Sequence, residues 1–158
     1  MSLFLIIYLL LITNRAIFDL TYYYVIAGAS MSLLTPNLSQ PLLSFISVQY
    51  FVNHGLMVTA VLFLVWSKQA RPRPGSVARA MLALNIYAVF IGIFNVIFKT
   101  NYMYLFAKPH SETLFTILGP WPWYIVSCDV VALILFLLLY LPFRQTKADA
   151  SKLKGEAQ

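Results

Sequence analysis

Apolar runs long enough to cross a bilayer recur along this chain of 158 residues. Four of them, residues 16–35, 42–66, 77–98 and 121–141, exceed the roughly 18 residues that read as a membrane-spanning helix at about 1.5 Å of rise per residue. Composition agrees: 61% of residues are hydrophobic and 10% charged, against about 25% charged in an ordinary soluble domain. Too few polar side chains exist to cover a water-facing surface, which excludes a soluble globular fold. The expected class is all-α, a polytopic transmembrane helix bundle in which residues 1–142 form one domain and residues 143–158 a polar tail.

Residues 2–13 are equally apolar but, at roughly 18 Å as a helix, too short to span. They read as part of a fifth span. No positive leader follows Met1 and no small-residue cleavage pattern surrounds Asn14 and Arg15, which argues against a secretory signal. A start inside an apolar stretch leads us to expect an N-terminally truncated chain. Asn14 and Arg15 make a very tight connection, so residues 2–13 should pack against the next span as an antiparallel hairpin.

Alternating spans place Arg15, Lys68, Arg71, Arg73, Arg79, Arg144, Lys147, Lys152 and Lys154 on one side, and only Lys99 and Lys108 on the other. This asymmetry makes the basic side cytoplasmic by the positive-inside rule and puts the loop of residues 99–120 outside. The net charge of +6 is thereby read as topology and not as a nucleic-acid footprint. Membrane lipids are the expected partners, and the loop from Lys68 to Arg79 is most simply a turn whose charges meet anionic lipid. A lone cysteine, Cys128, excludes an internal disulfide framework and any site built on several thiolates. It reads as a packing residue. No metal-ligand cluster, phosphate-binding loop or nucleotide motif is visible, so neither a metal nor a cofactor is expected.

Ionisable residues at membrane depth are costly unless they face a cavity or a partner. Asp19 lies one turn from Arg15, and is expected to pair with it as an interfacial anchor. His54 falls about 15 Å into its span, with Asn53 adjoining and Gln49 one turn earlier. Asp129 and Asn95 lie nearer the outer ends of their spans, so these helices could present a polar cavity in which His54 serves as a candidate general base. Asp129 could orient it. The competing expectation is that His54 is interhelical glue. Small residues Ala27, Gly28, Ala29 and Ser30 suit close helix contact, as does Gly92.

The outer loop carries the densest pattern: Asn101-Tyr102-Met103-Tyr104-Leu105, then Lys108-Pro109, then Leu118-Gly119-Pro120-Trp121-Pro122-Trp123-Tyr124. Pro122 suits the first turn of the last helix and the aromatics suit an interfacial belt. With Asn95 and the Asn53-His54-Gly55 triplet, these elements resemble the YwaF-type bacterial integral membrane proteins, related to the eukaryotic transmembrane protein 164 family, over about residues 3–141. The resemblance implies a multi-helix protein of the bacterial cell membrane. Its eukaryotic branch is described as a lipid acyltransferase with a cysteine nucleophile and a histidine. The family histidine matches His54. The family cysteine, in a His-Leu-Cys element, would fall just upstream of Met1, and Cys128 does not match it. A chain with the base but not the nucleophile is expected to be inactive alone. Asn53, Asn95 and Asn101 are candidate oxyanion donors. The alternative function is a non-enzymatic membrane module, a small-solute carrier or a complex subunit.

Overall fold

A computed structural model describes residues 4, 6–8, 14–36, 38, 40–108 and 117–144. Most of the apolar start at residues 2–13, and the tail with Lys147, Lys152 and Lys154, lie outside the described residues. Among the described residues, four helices are long and apolar enough to span a membrane: α1 (Arg15–Leu34), α2 (Phe45–Trp66), α3 (Ser76–Phe98) and α4 (Trp123–Tyr140), the last continued by a 3-10 turn at Leu141–Phe143. Residues 4 and 6–8, ahead of α1, are helical too.

Local chemistry sets the helix ends. Asn14 caps α1, its Oδ1 accepting from the Ala16 and Ile17 amides at 2.9 and 3.3 Å, and so satisfies donors that the first turn leaves open. Thr35, restricted by Pro36, leaves the helical region and ends α1. Residues 42 and 43 lie in the turn that follows Pro41, so α2 begins at Phe45 behind Ser44, whose Oγ accepts from the Ser47 amide at 3.2 Å. Lys68 and Lys99, at φ 58° and 53°, stop α2 and α3 in the left-handed region. There the chain turns away and a cation sits beside the negative helix end. Pro122 sits just before α4 and not inside its first turn.

α1 is the centre of the bundle and packs on α2, α3 and α4. Of its apolar window 39% is buried, against 11% for each other span. The core joins Phe18, Tyr22, Tyr23, Val25 and Ala29 of α1 to Met57 and Val61, to Ala80 and to Phe136, with Ile6 of the N-terminal segment packed among them. Three successive tyrosines spread around this helix because consecutive residues point about 100° apart. The Tyr22 hydroxyl donates to the Leu139 carbonyl at 3.0 Å, Tyr23 shares a 2.7 Å hydrogen bond with Ser76 Oγ, and Tyr24 donates to the Ala80 carbonyl at 2.7 Å. One helix thus holds α3 and α4 with buried phenols. Beyond Tyr23 its middle, Tyr24–Ala29, widens into a π-helix, which carries the small residues Ala27, Gly28 and Ala29 and packs on α2.

The outer faces stay apolar. Phe45, Leu56, Phe63, Phe90, Val96 and Ile97 are among the exposed large side chains, a surface suited to hydrocarbon and too extensive for water.

Candidate functional site

His54 lies midway along α2 and is half-buried. Its Nδ1 is 2.7 Å from the Tyr50 carbonyl oxygen. A carbonyl only accepts, so Nδ1 carries the proton and, in the neutral ring, Nε2 holds the lone pair. No hydrogen bond reaches Nε2 among the described residues. The ring also lies on that of Tyr50, centroids 4.2 Å apart. Tyr50 is itself fixed, because its hydroxyl donates to the Ser32 carbonyl of α1 at 3.0 Å. The imidazole is therefore held in one tautomer by the helix that carries it, and the tyrosine beneath it is anchored on the central span. Gly55 follows, and a Cβ there would meet nothing within 4 Å, so the helix surface beside the histidine is open. Asn53 is exposed and Gln49 likewise.

The other polar residues at depth have separate attachments. Asp129 Oδ1 accepts from Asn85 Nδ2 at 3.0 Å, and the same amide donates to the Met81 carbonyl. Asn95, 2% exposed, organises the loop after α3: its Nδ2 donates to the Tyr102 carbonyl at 2.9 Å, and its Oδ1 accepts from Thr100 Oγ1 at 2.8 Å and the Tyr102 amide at 2.9 Å. Asn101 does the same one turn on, accepting from the Phe106 and Ala107 amides and donating to the Ala107 carbonyl. Among the described residues no hydrogen bond joins any two of His54, Asn53, Asn95, Asn101 and Asp129. Cys128 is half-buried on α4, one turn beyond Tyr124.

The two aromatic motifs of this loop form one unit. Trp121 Nε1 donates to the Leu105 carbonyl at 3.1 Å, the buried Tyr124 donates its hydroxyl to the Tyr104 carbonyl, and Lys108 Nζ lies 5.4 Å from the Tyr124 ring centroid. Met103 and Tyr104 hold positive φ values of 59° and 52°, a conformation kept only where surroundings over-determine it. Gly119, at φ 92°, supplies a turn that side chains resist, and Pro120 and a cis Trp121–Pro122 peptide lead into α4. Tyr102 and Trp123 are exposed at the rim. Replacing Asn95 by alanine is expected to cost about 1 kcal/mol, the lower end of the range for a polar group left without its partner, because the Tyr102 amide it would orphan is only part-buried. Faster proteolytic cleavage within residues 99–120 will report it.

At the opposite end the expected Arg15–Asp19 pair is corrected. Arg15 is exposed, whereas Asp19 is fully buried with its side chain 0% exposed and pairs with Arg73 and Arg79. Its Oδ1 accepts the Arg73 amide at 3.1 Å. Its Oδ2 accepts Arg73 Nε and Nη2 at 2.9 and 2.8 Å and Arg79 Nη2 at 2.8 Å. The carboxylate ties the loop between α2 and α3 to the central helix. The rule that helix neighbours pair misled here because the competing donors arrive through the fold, from residues 54 and 60 positions away. An acid facing four basic residues in the next same-side loop was the available clue. Gly75, at φ 75°, makes the turn, and a Cβ there would lie 3.2 Å from Arg79 Nη1. Gly75→Ala is expected to cost roughly 1–2 kcal/mol from the left-handed backbone alone, read as a lower unfolding midpoint in detergent.

Fold and site together define a polytopic α-helical membrane protein with two hydrogen-bonded aromatic motifs at one end, an ion cluster around a buried carboxylate at the other and a histidine midway along a span. A family model described as the TMEM164 family matches residues 1–140. The chain belongs to the TMEM164 family. No curated protein matches it, and no solved structure does.

Proposed function

We propose that this protein is a membrane-embedded enzyme acting on acyl lipids, transferring or hydrolysing an ester-linked chain, with Nε2 of His54 as the base. The observation that carries this reading is the Nδ1–H bond to the Tyr50 carbonyl, which leaves a lone-pair nitrogen without a partner among the described residues, halfway along a span. In this mechanism Nε2 takes the proton of a nucleophilic thiol, and the thiolate attacks the lipid ester carbonyl. The lysolipid alkoxide then leaves with the proton from the imidazolium, and a thioester remains. A second alcohol, or water, attacks the thioester while Nε2 takes its proton, and the thiol is restored. The resemblance implies a cysteine thiol as the nucleophile, and Cys128 does not occupy the position it implies. Asn53, which adjoins His54 and whose side-chain amide makes no hydrogen bond among the described residues, is the proposed oxyanion donor; the amides of Asn95 and Asn101 each spend one of their two N–H groups on the loop.

On the same reading the protein is of the YwaF type and lies in a bacterial plasma membrane, with its basic end cytoplasmic. The test is the protein expressed from its intact gene and placed in liposomes holding a phospholipid labelled in one acyl chain, with lysophospholipid as acceptor. Label moving to the acceptor or to free fatty acid, and lost in His54→Gln, supports the enzyme. Label that stays in place with the wild type, or moves equally with the variant, removes it and leaves a carrier or a complex subunit.

A further inference from the structure

We infer that the basic end carries a binding site for the phosphate of an anionic phospholipid, formed by Arg73 and Arg79 around the buried Asp19. One carboxylate serves two guanidinium groups, so the cluster keeps a net positive charge. The side chains of Arg73 and Arg79 are 40% and 45% exposed, and their inner nitrogens are the ones engaged: Arg73 Nε and Nη2 with Asp19, Arg79 Nη2 with Asp19 and with the Pro74 carbonyl. Arg73 Nη1, Arg79 Nε and Arg79 Nη1 make no hydrogen bond among the described residues. Two like charges that would repel are held side by side by a shared anion beneath them. A phosphate arriving from outside meets donors already assembled, and planar guanidinium forks suit its oxygens. Gly75 gives this arrangement room, since a Cβ there would lie a tight 3.2 Å from Arg79 Nη1.

The setting selects a lipid as the source of the phosphate. The cluster closes the connection between two membrane-spanning helices, at the level where headgroups lie. Arg15, Lys68, Arg71 and Arg144 are exposed at the same end, and Asp19 is the one acidic residue there among the described residues, so anionic lipid is drawn to this edge.

The test is competition between dioleoylphosphatidylglycerol and dioleoylphosphatidylcholine for the full chain in detergent, read by native mass spectrometry, with inorganic phosphate titrated in parallel. We expect phosphatidylglycerol to be preferred by about tenfold, the scale of one charge-assisted hydrogen bond. Arg79→Lys, which keeps the charge but loses the fork, should remove most of that preference. Lys68→Gln with Arg71→Gln, which removes exposed charges outside the cluster, should keep most of it, and an unfolding midpoint of Arg79→Lys in detergent close to that of the wild type separates loss of the site from loss of the fold. Equal binding of the two lipids overturns the site. So does a preference that survives Arg79→Lys and vanishes in the double variant, which would mean diffuse attraction. Displacement of phosphatidylglycerol by millimolar inorganic phosphate overturns the lipid as the ligand.

Discussion

Asp19→Ala is expected to destabilise the protein by about 3 kcal/mol, the lower end of the range for removing one partner of a buried ion pair. The substitution deletes the acceptor of four hydrogen bonds and leaves two guanidiniums without their anion. The figure stays at the lower end because both arginines are partly exposed and can turn towards water. What they cannot replace is the tie between α1 and the loop preceding α3, and the neighbouring Tyr23–Ser76 hydrogen bond depends on that tie holding the start of α3 in place. Asp19→Asn, which keeps an acceptor for the Arg73 amide, should lose less. Arg15→Ala should change stability by under about 0.5 kcal/mol, as an exposed residue away from such features does. Unfolding of the three variants in mixed micelles separates this cluster from the helix-neighbour pair that the sequence suggests.

On the proposed acyl-lipid reading, His54→Gln should lower the rate of acyl transfer by about 10²–10⁴-fold, the usual worth of a positioned general base, with little effect on expression or on the size-exclusion profile. The residue is half-buried and bonds only within its own helix among the described residues, so its removal leaves no interhelical partner stranded. Tyr50→Phe is the complementary variant. It retains the backbone carbonyl that holds Nδ1 and the ring on which the imidazole lies, and loses only the bond to Ser32. Most of the activity should therefore survive in Tyr50→Phe. A histidine acting as interhelical glue would give the reverse pattern, a loss of stability in His54→Gln with no change in turnover.

The helices were legible because the bilayer demands long apolar runs, but their ends were less so: hydropathy carries residues 42 and 43 into α2 and residues 121 and 122 into α4, where the chain still turns. The centrality of α1 was not legible. Its tyrosines look like any aromatic stretch in the sequence, and only the packing of α3 and α4 gives the phenols partners. The same holds for polar residues at depth. Helical rise places Asn95 and Asp129 by height but says nothing of azimuth or of competing donors, and Asn95 bonds a loop seven residues away while Asp129 takes the amide of Asn85. The aromatic motifs were recognisable as a signature. Their joining through the Leu105 and Tyr104 carbonyls depends on how the loop folds back on itself, which no periodicity encodes. The π-helical turn at Tyr24–Ala29 likewise leaves no mark in an apolar run.

The chain has two histidines, so His110→Gln leaves His54 as the sole imidazole. Nitrogen-15 spectra of this variant, labelled at histidine and held in lipid bilayers, read the tautomer directly. Protonated Nδ1 and bare Nε2 are predicted, as a donor to the Tyr50 carbonyl and a base facing the membrane interior require. A proton found on Nε2 with Nδ1 bare would contradict the account, since the nitrogen proposed to accept the nucleophile's proton would already be occupied.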